Sequence, residues 1–431
     1  MTPARDASPL ADLRAAVEDQ RPFATGVFDE LAAGSTDPAG GITRDTYGPG
    51  EAFGHDVMGR VATDSDFAVS VDKAGNTYAL WETAPGAKTV IMGSHLDSVP
   101  RGGNFDGAAG PLAGMVALRA MGASPRVNLC AMGIRAEESV WFQTSYIGSR
   151  AALGTLPAET YDTARRIDTG RTLGDHMVES GCDVEALKAG QVALDPATLE
   201  AQIELHIEQA PSLVEEGLPV GICTGIPGNF RYPDAVITGV HGHVGTTRRF
   251  RRDAAMAGAE LAVAMQRLWV REEDEGNPMA VTFGRFHTDD GFHGMTTVPG
   301  LFHFSLDVRC YDEAVLARVE EDFLTLVAQI EAEYRVTITL GERKSAPVGL
   351  ADRAIRDGLH AAAGDLGIPY MEMGSPASHD SAAFAAAGVP MSMIFVRNEN
   401  GSHNPDEAME IDDFLDGCAV LTAYLYRTYC A

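Results

Sequence analysis

The run Gly93-Ser94-His95-Leu96-Asp97, continuing through Gly102-Gly103-Asn104-Phe105-Asp106-Gly107, decides how this chain is read. Before it stands the apolar stretch Thr89-Val90-Ile91-Met92, a strand whose C-terminal end delivers His95. After it, the small-residue segment Ala108 to Met121 reads as a helix, and Val127 to Met132 as the next strand. Further out, Phe67 to Asp72 alternates like a strand before the turn Lys73-Ala74-Gly75-Asn76, and Leu10 to Ala33 reads as one helix ending near Gly34. Strands alternating with helices predict an α/β domain whose sheet is covered on both faces. Its ligand-bearing segments stand just past strand ends, where open sheets of this kind bind their ligands.

Three more segments carry the same chemistry. Glu137-Glu138 follows the strand Val127 to Met132, and His206 lies in the alternating segment Glu204-Leu205-His206-Ile207-Glu208-Gln209. Gly401-Ser402-His403-Asn404-Pro405 stands near the C-terminus. Imidazole and carboxylate suit Zn²⁺, Mn²⁺ or Co²⁺, and no segment offers a thiolate. His95 and Asp97 share one face of a strand end, so Asp97 is expected to hold the ring's other N–H and fix its direction. Asp106 follows a Gly-Gly pair that lets the backbone turn inward, and its two oxygens suit it to bridge two cations. Adjacent carboxylates such as Glu137 and Glu138 point apart. One can bind metal while the other takes the proton of an acidified water and passes it to a leaving amine.

Taken singly, each of these has a plainer explanation. A lone histidine in an alternating strand is more often a core residue, and a Glu-Glu pair at a helix start is usually solvated. Four such segments in one chain favour a two-metal hydrolase. His379-Asp380 reads as a hydrogen-bonded pair near the site, while His55, His176, His287 and His360 read as surface or core.

Length and composition set the frame. At 431 residues two domains are expected, and 45% apolar residues is ordinary for a globular chain. A formal charge of −28 argues against nucleic acid and anionic membranes as partners. No apolar run approaches the roughly 20 residues of a membrane span. Residues 1–6 lack the apolar core of a secretory signal, so a cytoplasmic location is expected. Cys130, Cys182, Cys223, Cys310, Cys418 and Cys430 are widely spaced, as expected of reduced thiols.

The pattern changes near residue 226. Strands are expected at Ala235–Val240, Met279–Phe286, Leu301–Val308 and Val336–Leu340, with helices at Asp253–Val270 and Glu313–Tyr334. Four strands and two helices suggest a ferredoxin-like α+β insertion at 226–339. The catalytic domain would then comprise 1–225 and 340–431.

These residues together resemble the M20 family of metallo-amidohydrolases and peptidases, and in particular its carbamoylase branch. That branch contains N-carbamoyl-L-amino-acid hydrolases, β-ureidopropionases and allantoate amidohydrolases. The likeness runs from about residue 50 to 415, and Ser94-His95-Leu96-Asp97-Ser98-Val99 through Asp106-Gly107 is its most specific part. The resemblance implies His95, Asp106 and His206 on one metal, Asp106, Glu138 and His403 on the other, and Glu137 as general base. A histidine at 206, where related peptidases usually have a carboxylate, favours an amidohydrolase. The resemblance also implies that the insertion is a lid and makes a homodimer. His243, in His243-Val244-Gly245-Thr246-Thr247, would stabilise an oxyanion in the partner's site. Gln209, Arg309, Thr296 and Ser402 fall at substrate-binding positions, Arg309 facing the substrate carboxylate.

Two departures stand out. Arg248-Arg249 replaces the usual Pro-Met after Thr247, opening the run Arg248-Arg249-Phe250-Arg251-Arg252. Thr296 stands where the family usually has asparagine, in Thr296-Thr297-Val298-Pro299. The expected activity is hydrolysis of the C–N bond of an N-carbamoyl or similar N-acyl amino acid. An M20 aminoacylase or dipeptidase is the alternative, followed by a non-catalytic metal-binding relative. Glu137 speaks against the last, because a binding module needs no base.

Overall fold

A computed structural model describes residues 9–430 and divides them into two compact units, 9–226 with 350–430, and Pro227–Gly349. The first is built on an eight-stranded sheet. Six of its strands come early: β1 (Ala68–Val71), β2 (Thr77–Trp81), β3 (Thr89–His95), β4 (Asn128–Ile134), β5 (Leu199–Ile207) and β6 (Val220–Cys223). Tyr370–Met373 and Met391–Val396 complete it, giving the order β1, β2, β4, β3, β5, Met391–Val396, β6, Tyr370–Met373.

The four central strands, β4, β3, β5 and Met391–Val396, run parallel. They are wholly or almost wholly buried, the apolar reading of strands covered on both faces. Parallel strands end along one edge, so the residues following each are delivered to the same place. His95 closes β3, Glu137 and Glu138 follow β4, His206 lies near the end of β5, and His403 follows Met391–Val396.

The helix Ala109–Ala120 lies against this sheet, with every residue buried except Arg119. A Cβ at Gly110 would sit 2.4 Å from the Ser94 Cβ and 2.8 Å from the Leu205 carbonyl oxygen. Only glycine lets the helix come this close to β3 and β5. The N-terminal segment differs from expectation, forming two helices, Pro9–Glu18 and Arg21–Ser35. Pro22 causes the restart, since a proline fits the first helical turn, where its missing N–H satisfies nothing.

In the second unit, Gly228–Thr238 and Leu301–Cys310 form the antiparallel centre of a six-stranded sheet. Met279–Thr282 and Phe286–Thr288 flank one side, and Thr337–Thr339 and Lys344–Ala346 the other. Every second residue from Phe302 to Cys310 is buried, packed with the helices Ala254–Asp274 and Glu313–Tyr334. The strand expected at Met279–Phe286 is interrupted. Ser305, at a register shift in its neighbour, bonds the Arg285 backbone through both its amide and its hydroxyl. The unit also runs to Gly349 rather than 339, because Lys344–Ala346 adds an edge strand.

All six cysteines are free thiols, and no helix among the described residues is long and apolar enough to cross a membrane. Gly110→Ala separates packing from helix propensity. Alanine is the better helix former by about 1 kcal/mol, yet crowding against β3 and β5 should reverse the sign and cost about 1–3 kcal/mol. Urea unfolding measures it, and a stabilised variant would refute the close packing.

Candidate metal centre

Asp106 occupies the middle of the site. Its Oδ1 lies 3.5 Å from His95 Nε2 and 3.3 Å from His206 Nε2. Its Oδ2 lies 3.3 Å from His403 Nε2, which is 3.4 Å from Glu138 Oε1. Ligand atoms of His95, Asp106 and His206 lie within 4.8 Å of one another, as do those of Asp106, Glu138 and His403. A third group, Glu204, His206 and His379, meets the same distance limit. There the Glu204 carboxylate already accepts hydrogen bonds from the Ser94 hydroxyl and from both the amide and hydroxyl of Ser381.

The loop is shaped for this arrangement. Gly107 has a φ of +70°, and a Cβ there would fall 2.4 Å from the His95 ring. Glycine therefore lets the chain turn beneath the imidazole and aim Asp106 at it. Arg44, fully buried, donates to the carbonyls of Leu96 and Asn104 and to the Asn104 side chain. Glu407 Oε1 accepts from the amides of Phe105 and Asp106, at 2.9 and 3.2 Å, and its Oε2 from the Ser402 hydroxyl at 2.7 Å. The chain offers no local signal for either residue, since each acts on a segment far away in sequence.

Asp97 works on more than His95. The His95 Nδ1 meets the Asp97 backbone carbonyl at 2.9 Å and its carboxylate at 3.4 Å. The Asp97 carboxylate also accepts the amides of Glu137 (3.0 Å) and Glu138 (3.2 Å), and the Thr46 hydroxyl. It therefore ties the end of β3 to the turn after β4.

Two positions expected to meet substrate also contact the Asp106 carboxylate. Gln209 Nε2 donates to Asp106 Oδ2 at 2.8 Å, and the Ser402 hydroxyl lies 2.5 Å from the same oxygen, its one proton shared between Asp106 and Glu407. Gln209 Oε1 is buried without a partner. His379 and Asp380 do not form the expected pair. Asp380 accepts from the Ser149 hydroxyl, whereas the His379 ring packs 4.3 Å from His206 and its Nε2 has no partner.

In the second unit, His243 is exposed and its Nδ1 accepts the Gly245 amide at 3.1 Å, which leaves the proton on Nε2. Thr296 is exposed and its carbonyl accepts the Val244 amide. Arg309 is half-buried, with Nε and Nη2 on the two oxygens of Asp307 at 3.1 and 3.2 Å. Arg251 and Arg335, in and beside the arginine run, donate to carbonyls of residues 244–251.

Whether the donors suit a cation can be judged from hydrogen positions. His95 Nδ1 and His206 Nδ1 each face a carbonyl, 2.9 Å away, so both carry the proton. Both Nε2 lone pairs then face Asp106 Oδ1, which is buried with no hydrogen-bond partner; that of His206 also meets the Gly107 amide at 3.2 Å, and that of His95 faces the carboxylate directly. Lone pairs and a carboxylate oxygen repel unless a positive charge lies among them, and a divalent ion fits. Where no ion is bound, protons take that role. Burial opposes charge on His95, but Asp106 and Asp97 outweigh it and hold the ring well above the usual imidazole range. The bond to Asp106 raises His403 to about 9. Burial and then Asp106 raise Glu138 to about 7, and burial raises Glu137 well above the carboxylate range.

The family model for peptidase family M20/M25/M40 matches residues 91–427, and the chain belongs to that family. It is 34% identical over 406 residues to an N-carbamoyl-L-amino acid amidohydrolase of Geobacillus stearothermophilus, covering 93% of this chain and 95% of that one. It is 28% identical over 439 residues to an allantoate amidohydrolase of Escherichia coli K12, covering 97% and 98%. Among solved structures, a hydantoinase/carbamoylase family amidase from Burkholderia multivorans superposes with a TM-score of 0.85 at 28% identity, covering 95% and 98%.

Metal uptake should release protons. At pH 7 the ion-free His403, with its raised affinity, is protonated, and a cation must displace that proton. Affinity for Mn²⁺ should therefore rise between pH 6 and 9. Calorimetry in buffers of different ionisation enthalpy counts the protons, and pH-independent uptake without proton release would contradict the assignment.

Proposed function

We propose that this metal-dependent amidohydrolase cleaves the ureido C–N bond of an N-carbamoyl amino acid. The observation that carries the reading is Asp106, whose two oxygens face separate sets of nitrogen and oxygen donors beside the buried pair Glu137 and Glu138. The amidohydrolase relatives support a ureido substrate. His95, Asp106 and His206 would hold one divalent ion, and Asp106, Glu138 and His403 a second, with Zn²⁺, Mn²⁺ or Co²⁺ suited to such donors. Bound there, the ions supply Lewis acidity and an acidified water.

The chain's own groups divide the remaining work. Glu137 takes the proton of the attacking water and delivers it to the departing nitrogen, and its burial raises its hold on that proton. Asp97 fixes the directions of Glu137 and Glu138 through their amides. Gln209 steadies Asp106 with its amide nitrogen and offers its buried oxygen as an acceptor for the substrate N–H.

The unit 227–349 serves in this reading as a ferredoxin-like lid and dimerisation domain of a cytoplasmic homodimer. From it, His243 presents Nε2–H to the oxyanion in the partner's site, and Arg309, squared by Asp307, receives the substrate carboxylate.

Turnover of N-carbamoyl, N-formyl and N-acetyl amino acids, compared with Mn²⁺, Co²⁺ and Zn²⁺, tests the substrate class. Carbamoyl substrates should lead, and a preference for acetyl substrates would make the enzyme an aminoacylase. Glu137→Gln should keep its metal and lose at least about 10²-fold in kcat. Metal loss in that variant, but not in Glu138→Gln, would reverse the two roles.

Subunit mixing tests His243. Inactive His243→Ala and Glu137→Gln chains should regain part of the activity on exchange, because one site of the mixed dimer has both groups. No recovery after verified exchange would remove His243 from the partner's site.

A further inference from the structure

We propose that Glu51 is a positioning residue for the Glu137-Glu138 pair, acting by holding the left-handed turn at Ala136. This rests on the reading of Glu137 and Glu138 given above. Glu51 lies in the first turn of the helix Pro49–Asp64 and is fully buried. Its Oε1 accepts the Ala136 amide at 2.7 Å. Its Oε2 accepts the Tyr47 amide at 2.6 Å and Arg135 Nη1 at 3.0 Å. The one carboxylate thus grips three groups in two segments.

Those two segments are the ones that need holding. Ala136 has a φ of +59° and Tyr47 a φ of +48°. The left-handed region disfavours any residue with a Cβ and is kept only where the surroundings over-determine it. Ala136 immediately precedes Glu137, so its backbone angles set where both carboxylates point.

The clamp is continuous with Asp97. Successive amides of Ala136, Glu137 and Glu138 are accepted by Glu51, Asp97 and Asp97 in turn. Thr46, next to Tyr47, donates its hydroxyl to the same Asp97. On the other side of the turn, the Arg135 amide donates to Asn76 Oδ1, and the carbonyls of Ala136 and Glu137 accept the amides of Ile147 and Tyr146. Glu51 is the side chain that reaches the left-handed residue itself, on its amide, while the Ile147 backbone holds its carbonyl.

The test uses the Mn²⁺-loaded enzyme. Glu51→Gln puts an amide donor against an amide or guanidinium donor, and Glu51→Asp keeps the charge opposite Arg135 but shortens the reach. Both should lower kcat at least about tenfold, since small misplacements of reacting groups are costly. KM should stay within about twofold, and hydrogen exchange should quicken in a peptide spanning 134–138. Adding Ala136→Gly to Glu51→Gln should recover part of kcat, because glycine adopts the turn without a clamp. A merely structural defect would not be repaired there. Unchanged kcat and exchange in Glu51→Asp, or a kcat loss that Ala136→Gly does not relieve, would overturn the proposal. If the unmodified enzyme hydrolyses no ureido substrate, the functional reading fails, and the exchange data still decide the clamp.

Discussion

One buried carboxylate organises this site. Asp106 has a partnerless oxygen facing two imidazole lone pairs, and a second oxygen shared by Gln209, Ser402 and His403. Held close together without a counter-charge, the partnerless oxygen and the two ring nitrogens are unfavourable neighbours. The chain answers by over-determining the loop. Arg44 brings a positive charge beneath it, Glu407 fixes the backbone amides of Phe105 and Asp106, and Gly107 lets the loop pass under His95. The donors are therefore in place before a cation arrives, and the cation replaces the protons that His95 and His403 otherwise hold against the Asp106 carboxylate.

The parallel sheet is what makes such convergence cheap. Four adjacent strands ending on one edge need only short extensions to bring His95, the Glu137-Glu138 pair, His206 and His403 together. The helix Ala109–Ala120 seals the sheet by approaching through glycine, so water is excluded behind the ligands. Burial raises the proton affinities of Glu137 and Glu138, and for Glu137 that is the property the proposed proton carrier requires.

How much of this was legible in the sequence depends on range. Strand β3, the helix after it and β4 announce themselves by apolar runs bounded by glycine and polar turns, and the ligand types stand beside them. The helix Glu313–Tyr334 reads to its last residue because a long amphipathic segment is strongly periodic. The single N-terminal helix failed on Pro22, a local signal that marked a start rather than an interior position. The strand 279–286 failed on Ser305, whose effect comes from a neighbouring strand. Arg44 and Glu407 were invisible for the same reason, since their partners lie some 60 and 300 residues away. His379 and Asp380 show the converse: adjacency in sequence suggested a pair, but neighbours with different orientations found different surroundings.

The inserted unit controls its polar donors by another device. Around Asp106, orientation is imposed from distant segments, whereas His243 and Arg309 are oriented by residues two positions away. Gly245 fixes the tautomer of His243, and Asp307, on the same strand face, squares the guanidinium of Arg309. Such short-range devices survive motion of the unit as a whole, because the orienting group travels with the donor. Arg231 also forms an ion pair with Asp307, its Nε 2.7 Å from Oδ2, so that carboxylate is shared between two cations. A guanidinium restrained in this way keeps its direction and can still trade part of its charge to an incoming carboxylate. That combination is what the proposed role of Arg309 toward a substrate carboxylate would need.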